Sequence, residues 1–129
     1  MPRAVPSKHR RSATSGARAT AIDWRRVAHA ALTSRALDDL EEATNRSRAL
    51  VPREHLVLYQ FSARGHDVAQ SILGTLLDHP HDGIGAYYRS RPLLLTLGLE
   101  LDDALGSPLG RAGGFSDGRD IGVVCNMPG

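Results

Sequence analysis

The feature that most restricts the fold is a series of apolar residues that recurs at helical spacing through residues 24–40. One helix can bury such a series on one face while the charged residues between its members face water. Asp23 is a good N-cap, so the sequence predicts a helix from Trp24 to about Ala43, acting as a docking or oligomer-contact element. The apolar series is Trp24, Val27, Ala28, Ala31, Leu32, Leu37 and Leu40. The residues expected to face water are Arg25, Arg26, Arg35, Asp38, Asp39, Glu41 and Glu42.

Two further segments have helical patterns, and each is bounded by residues that end helices. Residues 66–77 carry one apolar stripe, and the turn-forming residues 78–83 follow it. Pro92 can open another helix because its fixed φ suits the first helical position, and Gly98 is a natural C-cap for that helix. Residues 99–105 have room for one or two helical turns.

Three short β-prone segments lie between and after these helices. Residues 50–61 show a partial alternation of polar and apolar side chains, which favours an extended segment. A second β-prone segment begins near Ile84, and a third spans residues 121–124. Together with the helices, they predict a mostly helical α/β fold in which only short strands are present.

The net charge of +2 divides unevenly between a basic N-terminal tail and a weakly acidic remainder. Residues 1–22 hold five basic residues and no acidic one, whereas the rest holds eleven basic and fourteen acidic residues. We predict that residues 1–21 form a disordered basic tail, with an organellar transit peptide as the alternative. The remainder lacks a basic nucleic-acid-binding surface, so we expect no nucleic-acid partner.

One cysteine and the shortness of the apolar runs restrict the compartment. Cys125 cannot form an internal disulfide bond, so it fits a reducing compartment and is interpreted as a packing residue. No apolar run approaches the roughly 18 residues that span a bilayer, so we expect no membrane partner. These features predict a cytoplasmic location.

The strongest candidate for chemistry is the stretch 85–97, in which two tyrosines and two arginines precede an apolar run. A phenol donor beside two guanidinium groups at the start of a helix suits an oxyanion, above all a phosphate. In the alternative interpretation, Tyr87 and Tyr88 are half-buried packing residues. Arg89 and Arg91 are then solvated or paired with local aspartates.

Other combinations of reactive residues lack the context that their chemistry needs. His79 and His81 flank a proline and have no second ligand cluster at a spacing typical of metal sites, so they indicate a turn. The glycine-rich residues 110–114 lack the Lys-Ser/Thr ending of a phosphate-binding loop. Ser62 and His66 are close in sequence, but no nucleophile elbow surrounds the serine. The sequence predicts no metal site within this chain.

A series of short motifs carries a family resemblance. The series runs through Asp23-Trp24 and residues 32–38, 59–67, 79–82, 87–92, 111–114, 118–124 and 126–128. With these motifs, residues 22–128 resemble the start of the thiamine-diphosphate-dependent dehydrogenase component of 2-oxo acid dehydrogenase complexes. The similarity is to the bacterial form in which the alpha and beta parts are fused in one chain.

This resemblance implies a cofactor, a reaction and a set of site residues. Thiamine diphosphate would bind between an alpha-type and a beta-type domain, each an α/β fold. The enzyme would decarboxylate a 2-oxo acid and transfer the acyl group to a lipoyl carrier. The resemblance assigns Tyr88 and Arg89 to the pair that holds the diphosphate. It also makes Phe61, Ser62 and His66 candidate cofactor-proximal residues.

The resemblance further implies that parts of the active site lie outside this chain. The Mg²⁺ ligands are expected beyond residue 129, and the glutamate that activates the cofactor would come from the beta part. Residues 22–129 are therefore expected to be the truncated N-terminal part of an alpha-type domain, with no catalytic residue, weak cofactor binding or none, and no turnover. Asp67 stands where the family has a glutamate, and residues 111–119 match a mobile loop near the active-site mouth.

The expected partners follow from the same resemblance. They are a beta-type dehydrogenase domain or subunit, a lipoyl-bearing acyltransferase and further chains of a homo- or hetero-oligomer. A second hypothesis, from a different class, stays open. In it the chain is a non-catalytic helical interaction module that binds a partner chain or an acidic polymer through its basic tail.

Overall fold

The computed structural model of the chain describes residues 21–50, 52–53, 56–57, 59–113 and 116–119. Within these residues the chain is 49% helical and forms four helices. The helices are α1 (Trp24–Arg46), α2 (Asp67–Leu76), α3 (Arg91–Thr96) and α4 (Leu101–Gly106). The predicted strand at residues 121–124 and residues 1–20 of the predicted tail lie outside the described residues.

The predicted α/β fold is wrong, because the described residues form a small helical domain with no strand. The described part of the segment 50–61 attaches to α1 instead of pairing with another strand. Gln60 Nε2 donates a hydrogen bond to the main-chain oxygen of Asp38 at 2.8 Å, and Val57 is buried. The β-prone residue Ile84 is 40% exposed. The described part of this segment is therefore a loop that is bonded to a helix.

The start and end of α1 follow from hydrogen bonds at its termini. The Asp23 carboxylate accepts from the backbone amides of Arg25 and Arg26 at 3.1 and 3.0 Å, which confirms the predicted N-cap. The helix continues one turn beyond the predicted end at residue 43. Arg46 forms an ion pair with Glu42 one turn earlier, a spacing that favours helix.

The buried face of α1 matches the predicted one at Val27, Ala31 and Leu37 but differs from it elsewhere. The sequence predicts burial of Trp24, Leu32 and Leu40, but these residues are 61%, 64% and 52% exposed. It predicts that Asp38 and Glu41 face water, but they are 1% and 0% exposed. The buried face consists of Val27, Ala30, Ala31, Ser34, Leu37, Asp38 and Glu41. Three of the seven, Ala30, Ala31 and Ser34, are small, so neighbouring helices can approach this face closely there.

The first three helices pack against one another, and α1 contacts both α2 and α3. At Gly74 of α2, a Cβ atom would lie 2.7 Å from the Cβ of Thr96 in α3. This close approach explains a glycine that helix propensity disfavours. An apolar cluster then joins α1 to α3 and α4. Its members are Leu37, Leu94, Leu99 and Ala104, with Leu95 and Leu105 packed against them.

The structure confirms the helices predicted at residues 66–77, at Pro92 and at 99–105, with boundaries shifted by one or two residues. Gly98 ends α3 with a φ of +101°, as expected for a glycine C-cap. Residues 78–83 form the expected exposed turn, because Asp82 accepts hydrogen bonds from two backbone amides at 3.1 Å. None of the described helices has the length and apolar character needed to cross a membrane.

Candidate oxyanion site

A cluster of aromatic rings joins the loop before α2 to the turn before α3. The ring centroid of Phe61 lies 4.3 Å from that of Tyr59 and 4.1 Å from that of Tyr88. Tyr87 meets Tyr88 edge-on at 5.2 Å. Such ring pairs contribute about 0.5–1.5 kcal/mol beyond the area they bury. The Phe61–Tyr88 contact therefore holds two segments together that are far apart in sequence.

Arg89 is held at the edge of this cluster. Its guanidinium carbon lies 5.5 Å from the Tyr88 ring centroid, and its Nη1 donates to the Ser62 carbonyl oxygen at 3.0 Å. Gln70 Nε2 donates to the Arg89 carbonyl oxygen at 3.1 Å, so α2 holds the backbone as well. A guanidinium carries five N–H donors. Because the side chain is exposed and one nitrogen makes this bond, donors remain for an anion.

The turn that carries Tyr88 and Arg89 is closed by hydrogen bonds between its ends. The Ser90 amide donates to the Tyr87 carbonyl oxygen at 2.8 Å, and the Tyr87 amide donates to Ser90 Oγ at 3.2 Å. Ser90 is buried at the start of α3, whereas Tyr88 is 49% exposed. The phenol and the guanidinium are thus adjacent, accessible and carried on a defined turn.

A buried ionic cluster lies beneath this surface. Arg91 Nη1 donates to Asp38 Oδ1 at 3.2 Å, and Arg91 Nη2 donates to Glu41 Oε1 at 2.5 Å. The interpretation that Arg91 is solvated or paired with a local aspartate is therefore wrong. Its partners lie 53 and 50 positions away on α1. Because the arginine is 6% exposed, this pairing is part of the interior.

The cluster holds one cation and two carboxyl groups, which leaves one carboxyl group without full compensation. Burial raises the pKa of Glu41, and the nearby Arg91 opposes that shift only in part. Glu41 Oε2 is buried and has no hydrogen-bond partner among the described residues. Glu41 therefore holds a proton more readily than a solvent-exposed glutamate does.

The structure brings four of the five predicted site residues together. Phe61 and Tyr88 are in ring contact, and Ser62 and Arg89 are joined by a hydrogen bond. His66 is exposed at the N-cap of α2, and its side chain makes no capping hydrogen bond, so it is not tied to the other four in the described part of the chain.

Asp67, which stands where the resemblance expects a glutamate, has its carboxylate engaged within the fold. It forms an ion pair with Arg35 of α1. The hydrogen bond from Arg35 lowers the pKa of Asp67, with a further contribution from the Val68 amide, although burial opposes the shift. The carboxylate at position 67 therefore links α1 to α2.

Sequence reasoning missed the roles of Asp38 and Gln70 in this site, and it considered Arg91 only as an oxyanion donor or as a solvated or locally paired residue. Asp38 accepts hydrogen bonds from Ser62 and Ala63, Arg91 pairs with Asp38, and Gln70 holds the Arg89 carbonyl group. No local pattern marks these residues, because each partner lies at least 19 positions away.

Comparison with known proteins adds no relative: no family model matches the chain, and no curated protein or solved structure matches it significantly.

Proposed function

We propose that this chain supplies the diphosphate-binding part of a thiamine-diphosphate-dependent 2-oxo acid dehydrogenase, with Tyr88 and Arg89 as the donors to the diphosphate. One observation supports this function more than any other. The two segments that the resemblance assigns to the cofactor meet at one surface through the Phe61–Tyr88 and Ser62–Arg89 contacts. A phenol hydroxyl and a guanidinium on that surface suit a multiply charged anion.

The donor set fits the diphosphate end of the cofactor but not the metal. Charge-assisted hydrogen bonds from a guanidinium are among the stronger hydrogen bonds that proteins make to phosphate. The buried carboxylates of Asp38 and Glu41 are both committed to Arg91 and are not available as Mg²⁺ ligands. We therefore assign the magnesium ligands to residues other than these.

In the proposed enzyme, bound thiamine diphosphate supplies the carbanion chemistry that decarboxylates a 2-oxo acid. Tyr88 and Arg89 bind and orient the diphosphate, and the chain performs no proton transfer of its own. The acyl group then passes to a lipoyl carrier. The proposed partners are a beta-type dehydrogenase domain or subunit, a lipoyl-bearing acyltransferase and further chains of an oligomer in the cytoplasm.

An NMR titration of the isotope-labelled chain tests the proposal. Thiamine diphosphate with Mg²⁺, and inorganic pyrophosphate separately, are added up to millimolar concentration while the backbone amide signals are followed. We expect weak binding, with the largest shifts at Ser62, Tyr88 and Arg89 for both ligands. Arg89→Ala should weaken binding by about 1.5–3 kcal/mol, the usual contribution of a hydrogen bond to a charged group.

The neighbouring tyrosines provide a matched control. Tyr87 and Tyr88 are equally exposed, at 49% each, so Tyr87→Phe and Tyr88→Phe each remove a phenol hydroxyl group from an equally exposed side chain. Only Tyr88→Phe should weaken binding. Arg25→Ala, at an exposed position of α1, controls for the loss of one positive charge. If Ser62, Tyr88 and Arg89 do not shift at millimolar ligand, or if Arg25→Ala weakens binding as much as Arg89→Ala, the proposal is wrong.

A further inference from the structure

Asp38 is a buried carboxylate in the middle of α1, a position that is unfavourable for aspartate. Aspartate is a poor residue for a helix interior, and a buried carboxylate costs free energy unless it is paired and hydrogen-bonded. Asp38 is 1% exposed. Its hydrogen bonds must therefore offset that cost, and they show which parts of the chain it holds.

The hydrogen bonds of Asp38 reach both segments that form the oxyanion site. Oδ2 accepts from Ser62 Oγ at 2.7 Å and from the Ala63 amide at 3.3 Å. Oδ1 accepts from Arg91 Nη1 at 3.2 Å, and the main-chain oxygen accepts from Gln60 Nε2 at 2.8 Å. One residue of α1 is thus bonded to the loop before α2 and to the first residue of α3.

These bonds connect Asp38 to the exposed donors through one intermediate residue on each side. Ser62, whose hydroxyl group bonds to Asp38, offers its carbonyl oxygen to Arg89 Nη1. Arg91, which pairs with Asp38, follows Arg89 by two positions and anchors the turn that carries it. Glu41 differs, because it contacts Arg91 but makes no hydrogen bond to the loop in the described residues.

We propose that Asp38 is the positioning residue of the Tyr88–Arg89 site: it fixes the Ser62 carbonyl group that aims the guanidinium, and it fixes Arg91 at the base of the turn. Asp38 itself does not touch the anion. As far as it concerns diphosphate, this inference rests on the proposed function. The positioning of the ligand-free turn does not depend on that function.

The test compares Asp38→Asn with Asp39→Asn, which makes the same change one residue away. Asp39 is an exposed surface residue that pairs with Arg64. In the pyrophosphate titration, Asp38→Asn should weaken binding about tenfold, the lower end of the range for groups that orient a ligand-binding residue. Asp39→Asn should leave binding unchanged. Equal binding by wild type and Asp38→Asn overturns the proposal.

Two further variants separate positioning from a general loss of stability. Leu37→Ala removes core packing beside Asp38 without changing any hydrogen bond to the loop, so the folded fraction should bind as wild type does. Ser62→Ala removes the hydroxyl bond to Asp38, together with the bond that the hydroxyl accepts from the Arg64 amide, and it should reproduce part of the Asp38→Asn effect. If the folded molecules of Leu37→Ala bind pyrophosphate as weakly as those of Asp38→Asn, the effect of Asp38 is only structural and the proposal fails.

A ligand-free measurement keeps this test independent of the proposed function. In wild type, nuclear Overhauser effects between the rings of Phe61 and Tyr88 should report their contact. Asp38→Asn should weaken these effects, whereas Asp39→Asn should not. If wild type binds no pyrophosphate, the proposed function fails, and these ring contacts decide the positioning role alone: their loss in Asp38→Asn supports it, and their retention overturns it.

Discussion

Arg91 is a single buried cation on which two buried carboxyl groups depend for an ionic partner. It is the only cation that the described residues place between Asp38 and Glu41, and all three are buried. A buried ion pair adds little net stability compared with apolar packing, but removal of one partner leaves an uncompensated charge. The guanidinium therefore contributes to stability mainly because, without it, the buried carboxyl groups of Asp38 and Glu41 would have no cation to pair with.

Replacement of Arg91 by methionine should lower the free energy of unfolding by about 3–5 kcal/mol, the usual loss when one partner of a buried pair is removed. Chemical denaturation at neutral pH measures the change. Arg89→Met is the matched control, since Arg89 is exposed and two positions away; it should lower the stability by no more than about 1.5 kcal/mol, the upper end for the one hydrogen bond that it loses to the Ser62 carbonyl oxygen. Similar losses in the two variants would show that the buried cluster does not stabilise the fold.

Sequence reasoning identified Tyr88 and Arg89 as site residues, but it missed Asp38 and did not predict that Arg91 is buried, for a physical reason. The first two are neighbours, so their chemistry is visible in a short motif. Asp38 and Arg91 meet only after the chain folds, across 53 positions. A buried acid in a charged stretch of helix looks the same in sequence as a solvated one. Only its distant partner distinguishes the two.

At the scale of helices, α1 shows that a pattern can predict that a helix exists without predicting which face is buried. Trp24 and Leu32 lie on the exposed side, and the buried side carries alanines, a serine and two acids. The close approach of neighbouring helices favours small residues on this face. Asp38 and Glu41 can be buried there because both pair with Arg91. These tertiary effects outweigh the preference of single large apolar side chains for burial.

The two sides of α1 should respond differently to substitution. Leu37→Ala should lower the free energy of unfolding by about 2–5 kcal/mol, because it removes a side chain from the apolar cluster. Leu32→Ala, the same change on the 64% exposed side, should alter it by less than about 0.5 kcal/mol. Thermal or chemical denaturation of both variants gives the comparison. A large loss for Leu32→Ala would place this residue in a contact that the fold described here lacks.

The contact between α2 and α3 makes a prediction opposite to that of helix propensity. Propensity alone favours Gly74→Ala by about 1 kcal/mol. The added Cβ would lie 2.7 Å from Thr96 Cβ and 2.8 Å from its Cγ2, so α2 and α3 would have to separate. We expect a net loss of about 1–3 kcal/mol, the usual range for overpacking.

Gly85→Ala is the control for that variant, because a Cβ there meets no atom within 4 Å. It should change the stability by less than about 0.5 kcal/mol. Denaturant midpoints of the two variants decide the outcome. If Gly74→Ala is more stable than wild type, the two helices pack less closely than described.

For the molecule as a whole, the order and approximate bounds of the helices were predictable, but the absence of a sheet was not. Helical periodicity, the turn-forming residues 78–83, Pro92 and Gly98 are local signals, and they correctly predicted α2 and α3. The segment 50–61 carries a strand-like alternation, but its described part forms no strand, and its Gln60 is bonded to α1. A strand needs a partner, and a short sequence pattern contains no information on whether one exists.

Two carboxyl groups at different helix contacts give the whole molecule a pH dependence with two components of opposite sign. The pKa of Asp67 is lowered by Arg35, so this contribution to stability is present above the ordinary aspartate pKa of about 3.9 and is lost as pH falls through the lowered value. The pKa of Glu41 is raised by burial, so the folded state holds a proton that the unfolded state has lost. That contribution to stability falls as pH rises above about 4.3.

Single substitutions should separate these components in denaturation curves recorded from pH 3 to pH 8. Wild type should be more stable than Asp67→Asn at the upper end, and the difference should shrink as pH falls, since protonation removes the ion pair in wild type. Glu41→Gln should gain stability relative to wild type as pH rises, because the amide is neutral at every pH and replaces a carboxyl group that must otherwise ionise inside the protein. A constant difference between wild type and Glu41→Gln across this range would mean that Glu41 titrates alike in the folded and unfolded chains, and the buried cluster would then contribute no pH dependence through it.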